Sequence, residues 1–207
     1  MTDWNSLYQD GTTPWDKGEA APPLLDLMER HPFIGRVLVP GCGAGHDVRA
    51  IAELGKTDTD FVTEVVGLDL APLAIERAEK FATVGCETYV LGDWFDLANR
   101  EPMAGSFDRI WEHTCFCAID LEMRDSYVAA AHSTLVPGGE IWGVFYLDPY
   151  DGEHQPGGGP PHGTSVEELH QRFAGGGHFE VVDEWCPERT YAGREGLEWV
   201  MRMRRRS

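Results

Sequence analysis

Apolar and polar positions along the chain follow two rhythms, and the switches between them predict its elements. "RVLVPGCG" contains an apolar run, Val37-Leu38-Val39, that ends at Pro40-Gly41 and predicts a buried strand. The next stretch, "HDVRAIAEL", places Val48, Ile51 and Leu54 at helical spacing, and Gly55 is expected to stop the helix. The pair then repeats. "EVVGLDL" predicts a second strand, "APLAIERAEKFA" a second amphipathic helix and "CETYVLGD" a third strand. "SFDRIWEHT" predicts a fourth strand, because Phe107, Ile110 and Trp111 supply β-prone bulk. "EMRDSYVAAAHSTL" predicts a helix ending at Pro137-Gly138-Gly139, and "EIWGVFYL" a fifth strand.

Strands alternating with helices in this way predict right-handed βαβ crossovers and an α/β parallel sheet covered on both faces. After Leu147 the texture changes. "DPYDGEHQPGGGPPHG" is a Gly/Pro-rich loop too long for a simple connection, so it is expected to be functional or mobile. "SVEELHQRF" predicts a short helix with Thr164 or Ser165 as its N-cap and a glutamate in the capping-box position. "HFEVVDEWC" and "GLEWVMRMR" predict two strands forming an antiparallel pair that closes the sheet. Without a repeat or a separating linker, residues 1–207 are expected to form one domain.

Composition narrows the function classes. Asp and Glu number 35 against 17 Lys and Arg, a net charge of −18, so a surface this acidic repels phosphate backbones and anionic lipid. Nucleic acid and membrane are therefore not expected partners; the charge excludes partners better than it identifies any. The further expectations of a small-molecule acceptor and a monomer do not rest on it. The basic end "MRMRRR" is read as a solvated chain end. Cys42, Cys86, Cys115, Cys117 and Cys186 are odd in number and irregularly spaced, which predicts free thiols in a reducing, cytoplasmic compartment. The first residues lack the basic-then-apolar order of a secretory leader, and no apolar stretch is long enough to cross a membrane.

The candidate chemistry lies at the carboxyl ends of the strands, where open α/β sheets bind ligands. Gly41, Gly43 and Gly45 follow the first strand, where glycine permits close backbone approach and φ > 0. Asp69 ends the second strand and is placed to accept both hydroxyls of a ribose, with Leu70 beside it. Asp93 ends the third and is placed to accept from an adenine amino group, with Trp94 against the ring. Each has a plainer reading: glycines serve turns, and Asp69 can cap a helix. A dinucleotide site needs G-x-G-x-x-G for its pyrophosphate, whereas this loop is G-C-G-A-G with His46 at the third glycine position. That departure favours a cofactor with adenosine and no pyrophosphate, S-adenosylmethionine, over a nucleotide-dependent oxidoreductase. A protein that binds the cofactor as a sensor, without chemistry, stays open.

At this point the sequence resembles the class I S-adenosylmethionine-dependent methyltransferases. Within them it is similar to the thiopurine S-methyltransferase superfamily, above all its thiol, thiocyanate and halide methyltransferase branch. The stretches that carry the likeness are "DGTTPWDKG", "LVPGCGAGHDV", "VVGLDLAPLAIERA", "GDWFDL", "FDRIWEHTCFCAID" and "GPPHGTS". The resemblance implies a Rossmann-like, seven-stranded, mostly parallel sheet with an antiparallel C-terminal strand. It also implies methyl transfer to a small soft nucleophile: sulfur in a thiol, thiopurine or thiocyanate, or a halide. An N-terminal segment of about 30 residues would cover the cofactor with Trp4, Tyr8 and Trp15, whose faces suit a sulfonium cation. Relatives tend to carry tryptophan at all three places, so Tyr8 is a departure. His113 is implied beside the cofactor.

On the acceptor side the candidates are His113, Cys115, Phe116 and Cys117 after the fourth strand, Tyr146 and Asp148 after the fifth, and His162 in "PPHG". His113 could take the acceptor's proton, or be a satisfied histidine at a strand end. Cys115, Phe116, Tyr146 and His162 are assigned to the acceptor wall, and no metal is expected because no ligand spacing fits one. Arg189 and Arg194 either attract an anionic acceptor or are solvated loop arginines.

Overall fold

The computed structural model describes residues 2–57, 62–150 and 159–207. Half of the predicted loop, residues 151–158, thus lies outside the described residues. The chain starts with two short helices, α1 (Trp4–Gln9) and α2 (Pro22–Arg30). The alternating core follows: β1 (Gly35–Pro40), α3 (His46–Thr57), β2 (Val62–Asp69), α4 (Pro72–Glu79) and β3 (Glu87–Leu91). Next come α5 (Trp94–Leu97), β4 (Phe107–His113), a 3-10 turn (Leu121–Met123), α6 (Arg124–Thr134) and β5 (Leu135–Tyr146). α7 (Val166–Leu169), a π-helical turn (His170–Gly175), β6 (Phe179–Trp185) and β7 (Glu198–Arg205) complete the chain.

The seven strands form one sheet in the order β3-β2-β1-β4-β5-β7-β6. β1 through β5 pair in parallel, and β7 inserts antiparallel between β5 and β6. The order reverses between β1 and β4, so the open carboxyl edge there is where a ligand crevice belongs. One face of the sheet buries Leu38, Phe107, Ile110, Phe116 and Phe145 against α6 and the π turn. The other buries Val37, Val39, Trp111, Trp142 and Val144 against α2, α3 and Phe33. The alternation of Leu38 with Val37 and Val39 across these two clusters is the strand period of two, and burial on both faces explains the unbroken apolar runs.

Several sequence expectations shift by a few residues. α3 continues through Gly55 to Thr57; Val48 and Ile51 are fully buried, while the side chain of Leu54 lies outside those described. β5 begins at Leu135, inside the predicted helix end. The register jumps between Phe107 and Arg109, and Gly138 takes φ +79° in the resulting bulge. Ser165 caps α7 by accepting from the Glu168 amide (3.1 Å), and the helix widens into a π turn before it ends. The basic end is no solvated tail: Arg202 and Arg204 lie on β7 and pair with Glu140 at 3.4 and 3.0 Å. No helix among the described residues is long and apolar enough to cross a membrane.

Candidate active site

A cavity of about 430 Å³ opens at the carboxyl edge of the sheet. Its floor is built by the turn after β1. Gly41 and Gly43 have φ of +62° and +53°, a conformation that L side chains rarely adopt. A Cβ at Gly41 would stand 3.0 Å from the Cys115 sulfur, and one at Gly43 would stand 3.2 Å from the Tyr8 hydroxyl. Gly45 is needed for a different reason. It lies behind the cavity, where a Cβ would overlap the Tyr89 ring at 2.6–3.0 Å.

Asp69 lines the cavity at the end of β2. One carboxylate oxygen accepts from the Gly43 amide (2.9 Å) and the other from the Ala71 amide (2.8 Å). It therefore ties the glycine turn to the start of α4, and an ionised carboxylate still has acceptor capacity for two hydroxyls. Burial pushes its pKa up, against the backbone amides that favour the charged form. Leu70 stands beside it on the wall, with its side chain partly in solvent. Asp93 caps α5 through the Phe95 amide (2.9 Å) and faces the cavity. Trp94 reaches the cavity too, but its indole packs at right angles to Tyr127 and donates to Thr134 Oγ1 (3.1 Å). The ring is held largely in the core and, at 6% exposure, offers a base little surface for the expected stacking.

The N-terminal segment roofs the cavity. Asp3 caps α1 through the Ser6 amide (3.0 Å), and α1 rests on α4, where Asn5 accepts from Leu73 N (3.1 Å) and Arg77 donates to the Tyr8 carbonyl (2.8 Å). Trp4 and Tyr8 both pack edge-on against Trp15, at ring distances of 5.3 and 5.8 Å, and all three line the cavity. The departure at position 8 has a visible use: the Trp15 indole N–H donates to the Tyr8 hydroxyl (3.3 Å). Burial pushes the Tyr8 phenol up to about 12, so it stays neutral at pH 7. His46 closes the roof from below. Its Nε2 lies 3.0 Å from Asp16 of T-P-W-D, and Arg49 donates to its Nδ1 (2.9 Å), which puts the ring proton on Nε2, toward Asp16. The third glycine of a dinucleotide loop is replaced by a latch for the roof.

The fourth strand ends differently from the expectation. Thr114 follows β4 with φ +65°, a strained position for a β-branched residue, and turns the chain so that Cys115, Cys117 and Ile119 face the cavity. Phe116, assigned to the acceptor wall, points the other way. It is 1% exposed and packs among Tyr127, Phe145 and Phe173, the one residue of 114–119 turned into the core while its neighbours line the cavity. His113 also lies behind the wall. Its Nδ1 is 3.5 Å from Asp47, and its ring sits between Trp111 and Tyr191. Asp47 further accepts from Trp111 Nε1 and the Ala21 amide, each at 2.7 Å. Burial pushes Asp47 up, but the His113, Ala21 and Trp111 interactions outweigh it and hold the carboxyl below its usual range.

Burial pushes the Cys115 and Cys117 thiols up, Cys117 to about 12, so neither is a thiolate at pH 7. From "PPHG" it is Pro160 and Pro161 that line the cavity. His162 instead donates its amide to the Cys117 carbonyl (2.6 Å) and packs its ring against Gly159. Asp148 accepts from the Tyr150 amide (3.1 Å). Tyr146 stands behind Arg194, whose guanidinium lies 4.6 Å from its ring. Arg194 lines the cavity, whereas Arg189 sits at the surface with Asp26 and Glu29. Sequence reasoning passed over Thr114 and Ile119, reached Pro160 and Pro161 only as part of the Gly/Pro-rich loop read as a lid or acceptor wall, and left Arg194 undecided. Position-specific backbone and long-range packing put them there, and neither leaves a periodic mark.

Comparison with known proteins shows the family of the chain. The Thiopurine S-methyltransferase family profile matches residues 1–200. The chain is 33% identical over 210 residues to thiocyanate methyltransferase 1 of Brassica oleracea, covering 98% of this chain and 84% of that protein. It is 34% identical over 206 residues to a probable thiol methyltransferase 2 of Arabidopsis thaliana, covering 99% and 85%. Its fold superposes with a TM-score of 0.69, at 20% identity, on 1,6-didemethyltoxoflavin-N1-methyltransferase of Burkholderia thailandensis, solved with S-adenosylhomocysteine; 99% of this chain and 86% of that one are covered. A glycine turn, acids ending the second and third strands, an aromatic roof and a match along nearly the whole chain lead to one assignment: it belongs to the thiopurine S-methyltransferase family of S-adenosylmethionine-dependent methyltransferases.

Proposed function

We propose that the chain methylates the sulfur of a small, anionic acceptor, a thiolate or thiocyanate, with a halide as a further acceptor of the same chemistry. One observation carries this reading. Among the described residues, the wall opposite Asp69 and Asp93 is apolar apart from Thr114, two un-ionised thiols and the Arg194 cation, and it offers no histidine or carboxylate. A neutral acceptor would find no base there. A soft anion needs none.

The donor set fits the cofactor by its chemistry: carboxylates for hydroxyl and amino groups at one end, and aromatic rings for a cation under the roof. When bound, S-adenosylmethionine supplies an electrophilic methyl on a sulfonium. Asp69 would hold the ribose hydroxyls while it keeps the glycine turn in place, and Asp93 would hold the adenine end. Trp4, Tyr8 and Trp15 would present ring faces and edges to the sulfonium, each contact worth about 0.5–2 kcal/mol, and exclude water. Cys115, Cys117 and Ile119 would set the line of approach. Orientation then carries much of the rate, since effective molarities reach about 10⁵–10⁸ M in favourable cases. Residues 1–30 act as a cover on one domain.

The test is product detection by mass spectrometry with S-adenosylmethionine and iodide, thiocyanate, bisulfide, aliphatic thiols, aromatic thiols and a thiopurine. S-Adenosylhomocysteine formed together with methylated sulfur products is the expected result. Tight cofactor binding with no acceptor turned over would overturn it and leave a sensor.

A further inference from the structure

Arg194 is the one cation on the cavity wall among the described residues, and it is built in rather than draped over the surface. Its side chain is only 11% exposed. The chain turns at Tyr191–Arg194 (amide to carbonyl, 3.0 Å), and Leu147 N donates to Leu197 O (2.8 Å), which returns the turn to the end of β5. Tyr146 and Tyr191 flank the guanidinium at 4.6 and 5.5 Å. Glu198, which opens β7 opposite Tyr146 and is 1% exposed, accepts from Nη1 (2.9 Å). The other Glu198 oxygen, Oε2, is buried with no partner among the described residues. Tyr191 in turn donates to the Glu19 carbonyl (2.9 Å), so the cluster is pinned beneath the roof.

A buried arginine paired with a buried glutamate contributes little net stability, because the desolvation of both charges opposes their attraction. A role in recognition accounts for its upkeep better. Guanidinium carries five N–H donors in a fixed fork and is weakly hydrated, which suits large, weakly hydrated anions. Glu198 engages one edge; the rings hold the plane and leave the rest of the fork for a ligand. Resting on the sulfur-acceptor reading above, we propose that Arg194 is the residue that selects a charged acceptor, binding the anion next to Cys117, with Glu198, Tyr146 and Tyr191 as its positioning residues. Glu198 also tempers the site: it neutralises the cation, so the anion is held weakly enough to react and leave.

Calorimetric titration of thiocyanate into the complex with S-adenosylhomocysteine tests this without turnover. Glu198→Gln frees the cation and is expected to tighten thiocyanate binding several-fold. The double variant Arg194→Gln/Glu198→Gln removes both charges without stranding either, and is expected to weaken thiocyanate by about tenfold or more, the scale of one lost charge-assisted hydrogen bond. S-Adenosylhomocysteine affinity should stay within about twofold in both, because neither residue faces the acidic end of the cavity. Arg194→Lys is expected to fall between, a point charge replacing a fork. The proposal is overturned if the double variant binds thiocyanate like the wild type. It is equally overturned if Glu198→Gln weakens thiocyanate, or if the wild type binds none. Thiocyanate binding with no sulfur product would sink the sulfur-acceptor reading alone, and methylation of thiols without thiocyanate binding would sink the role of Arg194 alone.

Discussion

Asp69 does two things at once, and its substitutions separate them. Its carboxylate holds the Gly43 and Ala71 amides and is the group assigned to the ribose. Asp69→Ala is expected to weaken S-adenosylhomocysteine by about 100-fold, since hydrogen bonds to a charged group contribute about 1.5–3 kcal/mol each; calorimetry on the folded variant reads it. Burial raises this carboxyl's pKa, so cofactor binding, which needs the ionised form, should fall with acidification at a pH above the usual aspartate range. A binding midpoint at or below that range would contradict the assignment. Gly41→Ala combines positive φ with a Cβ 3.0 Å from Cys115, and is expected to cost about 1–2 kcal/mol from the backbone alone. Adding Cys115→Ala should therefore restore only part of the lost stability in a denaturant titration.

The elements explain what was legible in the sequence. The strand–helix alternation, the glycine turn and the acids at strand ends are local patterns, and each stands where the sequence puts it. What sequence reasoning could not reach is where consecutive residues point once a strand ends. Cys115 and Cys117 face the cavity while Phe116 and His113 do not, because Thr114 at φ +65° breaks the strand period. Trp94 likewise reads as a stacking residue but is drawn into the core by Thr134, 40 residues away. The roof is the clearest case of an element whose geometry has no periodic signature: α1 and the T-P-W-D loop are held by Leu73, Arg77 and His46 from elsewhere in the chain. Asp16→Ala opens the His46 latch. It is expected to speed release of S-adenosylhomocysteine in stopped-flow measurements while changing overall stability by about 1 kcal/mol, the net scale of one hydrogen bond. An unchanged release rate would mean the roof is held without it.

At the scale of the whole molecule, Asp47 ties the start of α2, strand β4 and the first turn of α3 into one unit. Its replacement by alanine strands the Ala21 amide, the Trp111 N–H and the His113 ring; a loss of about 2–4 kcal/mol is expected from denaturant midpoints. The pH sign follows from its lowered native pKa. Stability from this group is present above the unfolded aspartate value and is lost as pH falls through the native one, so the gap between wild type and Asp47→Asn should narrow in acid. Glu112 has the opposite sign. It is fully buried with Tyr127 and the Phe116 amide, and burial raises its pKa, so its ionisation disfavours the fold as pH rises. The net charge of −18 adds a general repulsion from polyanions and leaves the acceptor to be chosen locally, at the cavity wall.

The central claim is that the acceptor brings its own negative charge and the protein supplies place, not a base. The measurement that tests it most directly is kcat/KM against pH for two thiols whose own pKa values differ by about two units, a span easily resolved because it corresponds to about 2.7 kcal/mol. The account predicts that each profile rises through the pKa of its own thiol, so the two midpoints differ by the same interval. A single midpoint shared by both thiols would show that a group of the protein takes the proton, and would contradict it.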